Sequence, residues 1–366
     1  MDLKLTKENL QKGIQMVQNA VSQKSSLPIL FNILFETVKD NKIRLIATDL
    51  EIGIISTMDA EIQEEGAISI PAKKISDITK ELPNVKINLT AKKNNQITIK
   101  CEKSVFKMMG LPKEEFPKVP ELINVDVLTL PQKLLRAMLN MTSFAISKDE
   151  TRYILTGVLF VAMENRLRLV ATDGRRLAMV EKETPKSSGL TKKVIVPAKA
   201  VSELIRILRD DGEVKILFSE NQISFELDDS LLITRLIEGE YPNYEQVIPK
   251  QTEGKLRLDR DKFLSATKRA SLFTTPDSQS IKLEVLKNKL IISKSAQDGS
   301  ESREEIDCNY NAEEMTVGFN PNYLMDALKN IDEEEIGFEL TSPDKPGVIR
   351  ASDNSYVYII LPMQLG

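Results

Sequence analysis

Ile43-Arg44-Leu45-Ile46-Ala47-Thr48-Asp49 and Leu167-Arg168-Leu169-Val170-Ala171-Thr172-Asp173 are nearly one heptapeptide written twice, at positions 43 and 167. That spacing is the size of a small domain, and self-similarity at a domain-sized period marks an internal repeat. The match extends both ways. Pro71-Ala72-Lys73-Lys74-Ile75-Ser76 answers Pro197-Ala198-Lys199-Ala200-Val201-Ser202, Asn95-Gln96-Ile97-Thr98-Ile99 answers Asn221-Gln222-Ile223-Ser224-Phe225, and Phe116-Pro117 answers Tyr241-Pro242. Upstream, Leu3-Lys4-Leu5, Leu128-Thr129-Leu130 and Leu256-Arg257-Leu258 each open a unit with an alternating strand followed by a helix. A third, more diverged copy keeps Phe319-Asn320-Pro321-Asn322-Tyr323-Leu324 where the others have a strand–Pro–helix junction. Three copies fill all 366 residues, and we expect domains at 1–124, 125–251 and 252–366. The junctions fall near Pro120–Asp126 and Pro249–Gly254, where Pro, Gly and charge interrupt the pattern.

Each copy predicts two amphipathic helices. The first-helix stripes are Leu10, Ile14, Val17 and Val21 after the N-cap Thr6, then Leu134, Met138, Met141 and Ala145 with Pro131 as first helical residue, then Phe263, Ala266, Ala270 and Phe273. The second-helix stripes are Ile75, Ile78, Leu82, then Val201, Leu204, Leu208, then Leu324, Leu328, Ile331. Strand runs such as Ile29–Val38, Ile43–Ala47, Lys86–Leu89 and Ile97–Lys100 lie between and after them, and Ser187-Ser188-Gly189 reads as a loop. The fold class is α+β: three tandem copies of a domain with two helices packed on antiparallel sheet.

Composition narrows the chemistry. With 28% charged and 41% apolar residues the chain is an ordinary soluble protein. The start MDLKLTKENL has no apolar signal core and runs such as Tyr356–Leu361 are too short to span a bilayer, so a cytoplasmic location and no membrane partner are expected. Cys101 and Cys308 occupy unmatched positions without a CxxC spacing and read as small buried hydrophobes. There is no histidine, which removes imidazole acid–base catalysis and the commonest zinc sets. Walker, GxGxxG and EF-hand patterns are missing too, and no cofactor is expected. Asp49 and Asp173 leave one catalytic reading open, a Mg-dependent DNA-processing enzyme with these carboxylates as ligands. Duplicated aspartates at strand ends also read as turn residues. A scaffold binding only proteins is a third class, but its repeats are usually shorter.

The helices sum to about +8 in a chain of net charge −4. Basic helices in an acidic protein suit a polyanion held on the helix side and repelled elsewhere. Surface helices also favour Lys and Arg for their own sake.

Three copies in a row, Thr172-Asp173-Gly174-Arg175-Arg176-Leu177-Ala178, Tyr241-Pro242-Asn243-Tyr244 and the ending Leu361-Pro362-Met363-Gln364-Leu365 together resemble the bacterial sliding clamps, the beta subunits of DNA polymerase III. The resemblance covers the whole chain. It implies a non-catalytic processivity factor: a head-to-tail homodimer closed as a six-domain ring, helices lining a hole for double-stranded DNA. It implies further partners in the DNA polymerase III alpha subunit, the clamp loader, and other polymerases and repair proteins with clamp-binding motifs. The dimer contact would join Phe106 and Met108 to Leu272 and Phe273. A linear motif with Gln and Leu/Phe anchors would bind a pocket between domains 2 and 3, formed by Leu155, Thr172, Gly174, Arg175, Arg176, Leu177, Pro242, Val247, Asn320, Tyr323, Pro346, Ile359, Leu361, Pro362, Met363 and Leu365. Arg175 and Gln364 stand where many relatives have His and Arg, and Gly366 is appended. DNA would meet Lys24, Lys73, Lys74, Lys148, Arg152, Tyr153 and Lys199, with Tyr153 placed to stack on a base or, alternatively, half-buried in a strand.

Overall fold

A computed structural model of the chain describes residues 1–120, 125–184, 190–249, 254–296 and 298–365. The expected loop Ser187-Ser188-Gly189, the appended Gly366 and parts of both expected junctions lie outside the described residues.

The first repeat runs β1 (Asp2–Thr6), α1 (Lys7–Val17), β2 (Asn32–Val38), β3 (Lys42–Thr48), β4 (Ile52–Asp59), β5 (Glu61–Glu64), β6 (Ala67–Pro71), α2 (Ala72–Glu81), β7 (Lys86–Ala91), β8 (Gln96–Cys101) and β9 (Ser104–Met109). The second runs β10 (Asp126–Pro131), α3 (Gln132–Ser143), β11 (Gly157–Met163), β12 (Arg166–Thr172), β13 (Arg176–Glu183), β14 (Lys192–Pro197), α4 (Ala198–Ile207), β15 (Glu213–Phe218), β16 (Gln222–Glu226) and β17 (Ser230–Arg235). The third runs β18 (Gly254–Asp259), α5 (Arg260–Ser271), β19 (Ile281–Leu286), β20 (Lys289–Ser295), β21 (Glu301–Asp307), β22 (Met315–Phe319), α6 (Pro321–Lys329), β23 (Glu335–Leu340), β24 (Gly347–Arg350) and β25 (Tyr356–Ile360).

Two compact units emerge, residues 1–133 with 202–236, and residues 134–201 with 237–366. The first holds a five-stranded sheet, β5-β1-β7-β8-β9, and an eight-stranded sheet, β10-β15-β16-β17-β4-β3-β2-β6. The second holds an eight-stranded sheet, β14-β11-β12-β13-β25-β24-β23-β18, and a four-stranded sheet, β21-β20-β19-β22. In both eight-stranded sheets the last strand of one repeat pairs with the fourth strand of the repeat before it, β17 on β4 and β25 on β13, antiparallel throughout.

Local chemistry explains the helix starts. Thr6 caps α1, its hydroxyl accepting from Asn9 N at 3.1 Å, Asp259 caps α5 through Lys262 N at 2.8 Å, and Asn320 caps α6 through Asn322 N at 2.9 Å. The buried stripes carry Leu10, Ile14 and Val17 on α1, and Phe263, Ala266 and Ala270 on α5. Val21 and Phe273 lie past the ends of these helices.

Three expectations shift. Pro131 ends β10, opposite Glu213, rather than opening α3. The buried stripe of α3 is Leu135, Met138, Leu139 and Thr142, with the expected Ala145 buried just past its end and Leu134 and Met141 half-buried. On α2 the buried residues are Ala72, Ile75 and Thr79, leaving Ile78 half-buried. Pro28–Phe31 forms a 3₁₀ turn, so the strand begins at Asn32 and not at Ile29. Proline at its first position both starts that turn and withholds the N–H a strand would need.

Candidate functional site

The repeated Thr-Asp pair closes a turn in the first and second repeats with one hydrogen-bond scheme. In the second unit the Thr172 hydroxyl donates to Arg176 O at 2.5 Å and accepts from Gly174 N at 3.1 Å, while Asp173 Oδ1 accepts from Arg175 N and Arg176 N at 2.9 and 3.1 Å. Gly174 has φ +85°, a region glycine enters without penalty, and a Cβ there would meet Arg152 Nη1 at 2.8 Å. In the first unit Asp49 Oδ1 accepts from Glu51 N and Ile52 N in the same way, at 3.0 and 2.9 Å. Both carboxylates are turn-formers. No group of three or more Cys, Asp or Glu among the described residues is arranged to hold a metal ion, and the Mg-dependent enzyme reading has no support.

Arg176 binds this turn to its surroundings. Its side chain is 9% exposed, and Nε meets Asp173 Oδ2 at 3.0 Å, Nη1 meets Asp326 Oδ2 at 2.6 Å, and Nη2 donates to Phe144 O at 2.6 Å. The guanidinium lies over the Tyr323 ring at 4.3 Å and the Phe144 ring at 5.5 Å. Burial alone would loosen its proton, but the Asp326 hydrogen bond and the neighbouring charges raise its pKa above the ordinary value. Tyr323 is held from its backbone as well, its carbonyl accepting from the Tyr358 hydroxyl at 2.8 Å.

The β13–β25 register sets Ile359 opposite Leu177 and Ile360 opposite Arg176, and Leu361 N donates to Arg175 O at 2.9 Å. Leu155, Leu177 and Ile359 thereby join Leu159, Val170, Tyr241, Tyr244, Val348 and Val357 in one apolar cluster. The tail is tied down where Met363 N donates to Gly318 O at 2.8 Å, and a side chain at Gly318 would strike Met363 O and Leu365. Leu361, Leu365 and Val247 remain exposed apolar residues, while Pro362, Met363 and Pro346 are half-buried. Of the expected pocket residues, the structure thus links Leu155, Thr172, Gly174, Arg175, Arg176, Leu177, Asn320, Tyr323, Ile359, Leu361, Met363 and Leu365 into one neighbourhood. Pro242 lines an adjoining hollow of about 470 Å³ with Tyr241, Tyr244 and Arg168. Val247 ends the 3₁₀ turn Tyr244–Val247, and Pro346 precedes β24; no hydrogen bond among the described residues ties either to the Thr172 turn.

Sequence reading missed Asp326, Phe144 and Tyr358. Asp326 carried a usable signal, sitting one helical turn after Tyr323 on α6.

Of the remaining candidates, Arg152 reaches the Gly174 turn and Tyr153 shares its segment, while the others lie on separate segments. Lys24, Lys73, Lys74, Lys148, Arg152, Tyr153 and Lys199 are all exposed. Tyr153 sits in the 3₁₀ segment Glu150–Leu155 at 54% exposure, not in a strand, and Arg152 faces Asp149 at 3.7 Å. Phe106 and Met108 are half-buried on β9, an edge strand, beside exposed Val105 and Met109. Leu272 at the end of α5 is 77% exposed and Phe273 half-buried. Cys101 is buried, as expected, and Cys308 half-buried; both are free thiols.

The Thr172 turn, the apolar cluster beside it and the exposed apolar tail residues Leu361 and Leu365 have the make-up of a binding surface rather than of a catalytic centre. Sequence profiles of the DNA polymerase III beta subunit match in order: the N-terminal domain over residues 1–120, the central domain over 129–243 and the C-terminal domain over 245–364. The beta sliding clamp of Chlamydia pneumoniae is 33% identical over 365 residues, covering 100% of this chain and 99% of that protein, and that of Staphylococcus aureus is 34% identical over 94% of each. Among solved structures, the sliding clamp of Bacillus subtilis superposes with TM-score 0.96 at 29% identity, and a Pseudomonas aeruginosa clamp bound to griselimycin with 0.95 at 31%, each covering 100% of both chains. The chain belongs to the beta sliding clamp family, the non-catalytic processivity factors of DNA polymerase III. No helix among the described residues is long and apolar enough to cross a membrane.

Proposed function

We propose that two copies of this chain join head to tail into a ring of six domains, bounded at 1–124, 125–251 and 252–366, which encloses duplex DNA and tethers DNA-processing proteins by their linear motifs. The observation that supports closure is a pair of unlike sheet edges, β9 and β21, each the last strand of its sheet among the described residues. β9 carries Lys107 and follows Lys103, while β21 carries Glu301, Glu304, Glu305 and Asp307 against a single Arg303. Unlike, oppositely charged edges favour a heterologous contact that a second copy can close into a ring. Phe106, Met108, Leu272 and Phe273 supply its apolar part.

DNA contact rests on where the lysines stand. Lys73 and Lys74 occupy the first turn of α2, Lys133 that of α3, Lys199 that of α4 and Lys262 that of α5. A cation at a helix N-terminus opposes the macrodipole and gains nothing for the helix. Such a cation stands ready for an anion instead, suited to a phosphate backbone held loosely enough to slide. Lys24, Lys148, Arg152 and Tyr153 extend the set.

The cleft around Leu155, Leu177, Ile359 and Leu361 receives the motif, with Pro242, Val247, Pro346, Pro362 and Met363 at its borders. Its users are the DNA polymerase III alpha subunit, the clamp loader, and other polymerases and repair proteins; the protein works in the cytoplasm. Deleting Met363–Gly366 tests this reading. Affinity for a motif peptide in fluorescence anisotropy should vanish while the sedimenting mass stays that of a dimer; unchanged affinity refutes the cleft assignment.

A further inference from the structure

We propose that the first unit carries a second docking pocket, at Thr48–Gly53 with Pro117, Lys118 and Arg235, for a short peptide that offers one large apolar side chain beside a carboxylate. The inference rests on the reading of the Leu177 cleft as a peptide site and extends it to a place where no function has been assigned.

The scaffold is the same, bond for bond. Thr48 Oγ1 donates to Ile52 O at 2.7 Å and accepts from Leu50 N at 3.0 Å, as Thr172 does with Arg176 O and Gly174 N. Pairing of β4 with β17 sets Ile233 opposite Gly53 and Thr234 opposite Ile52, where β13 with β25 sets Ile359 opposite Leu177 and Ile360 opposite Arg176. Arg235 N donates to Glu51 O as Leu361 N donates to Arg175 O. Ser22 N donates to Leu30 O at 3.0 Å, and Ser147 N to Leu155 O at 3.0 Å. Leu30, Ile46 and Phe116 form an apolar cluster here that matches Leu155, Val170 and Tyr241 there.

What differs is the filling. Gly53 stands where the cleft has Leu177, and a Cβ added at Gly53 comes no nearer than 3.9 Å to any atom. Neither crowding nor a left-handed backbone requires glycine at this position, so its effect is to leave the wall open. A hollow of about 100 Å³ results, lined by Thr48, Leu50, Gly53, Pro117, Val119 and Ile233. A single water needs on the order of 10–15 Å³, so one large side chain has room. Leu50 is 48% exposed and sits at φ 79°, a conformation disfavoured for leucine, which presents an apolar side chain at the mouth. At that mouth stand exposed Lys118 and Arg235 against one carboxylate, Glu51. The counterpart of Arg235 is Leu361 and that of Glu51 is Arg175. The excess positive charge selects an acidic neighbour for the anchor.

The test uses the full chain and the pentapeptide QLDLF with benzoylphenylalanine in place of its last residue, irradiated and mapped by mass spectrometry. Labels are expected on both segments, 48–53 with 117–120, and 172–177 with 361–365. Gly53→Phe should abolish the first set and leave the second, which also reports that the variant is folded; Arg235→Glu should weaken the first set about tenfold in half-saturating concentration. Labels confined to the second segment overturn this proposal and leave the cleft reading standing. Labels on the first segment that survive Gly53→Phe overturn it as well. Labels on neither segment overturn both readings.

Discussion

Every nitrogen of the Arg176 guanidinium is engaged inside its own unit, by Asp173, Asp326 and Phe144 O. Its part in the cleft is consequently to position the Tyr323 ring and the 172–176 turn, not to offer charge to a ligand. Asp326→Ala leaves the buried cation half-paired. It should cost about 1–2 kcal/mol in urea unfolding, Asp326 being partly exposed, and weaken motif-peptide binding several-fold. Asp353 is a second charged group with a readable consequence. Hydrogen bonds from Ser355, hydroxyl and N–H, with lesser help from Lys182, lower its pKa to about 2. A carboxylate depressed in the folded state contributes stability that is full above its unfolded pKa of about 4 and lost as pH falls towards 2. Because the group is largely exposed, the contribution is less than about 1 kcal/mol. Asp353→Asn should flatten the acid limb of stability between about pH 4 and 2 in denaturant midpoints, lowering stability by less than about 1 kcal/mol at neutrality and leaving it unchanged below about pH 2.

At the scale of elements, the period and the caps were legible and the small offsets were not. Thr6 and the Leu10, Ile14, Val17 stripe stand where the pattern puts them because an N-cap and a 3.6-residue period are local signals. The α3 stripe keeps Met138 and Ala145 as expected but takes Leu135 for Leu134 and Thr142 for Met141, and ahead of it Pro131 satisfies two local rules, first residue of a helix and last residue of a strand. Long-range pairing with Glu213 decides between them. One residue turns a helix by roughly 100°, enough to exchange Leu134 for Leu135. Leu135→Ala should then destabilise by about 2–5 kcal/mol and Leu134→Ala by clearly less, compared by chemical denaturation. The same reasoning covers the cleft. Its turn and apolar floor were legible as motifs, whereas Asp326 and Tyr358 act on partners about 150 and 35 residues away and leave no periodic trace.

For the whole molecule, the threefold repeat was the plainest signal, and the compact units cut across it. Pairing β17 on β4 joins strands from two repeats, and no pattern within either repeat announces a partner so far along the chain. Closure by a second chain is likewise a relation between surfaces. Leu272→Ala with Phe273→Ala should yield a folded monomer by analytical ultracentrifugation, and a persistent dimer counts against the proposed interface. Replacing Lys24, Lys73, Lys74, Lys148, Arg152 and Lys199 by glutamine should reduce the slope of log affinity for duplex DNA against log salt, by up to about 0.9 for each phosphate no longer neutralised.

The ladder between Ile52–Asp59 and Ser230–Arg235 also says what a severed chain does. A protease cut between Pro120 and Val125 breaks one covalent link and none of these hydrogen bonds, so the nicked pieces stay mated. Made separately, the two pieces present complementary bare edges and apolar faces, and each is the other's natural template. The protein is thereby a candidate for a split reporter that reassembles without a tag, and a poor candidate for dissection into single repeats.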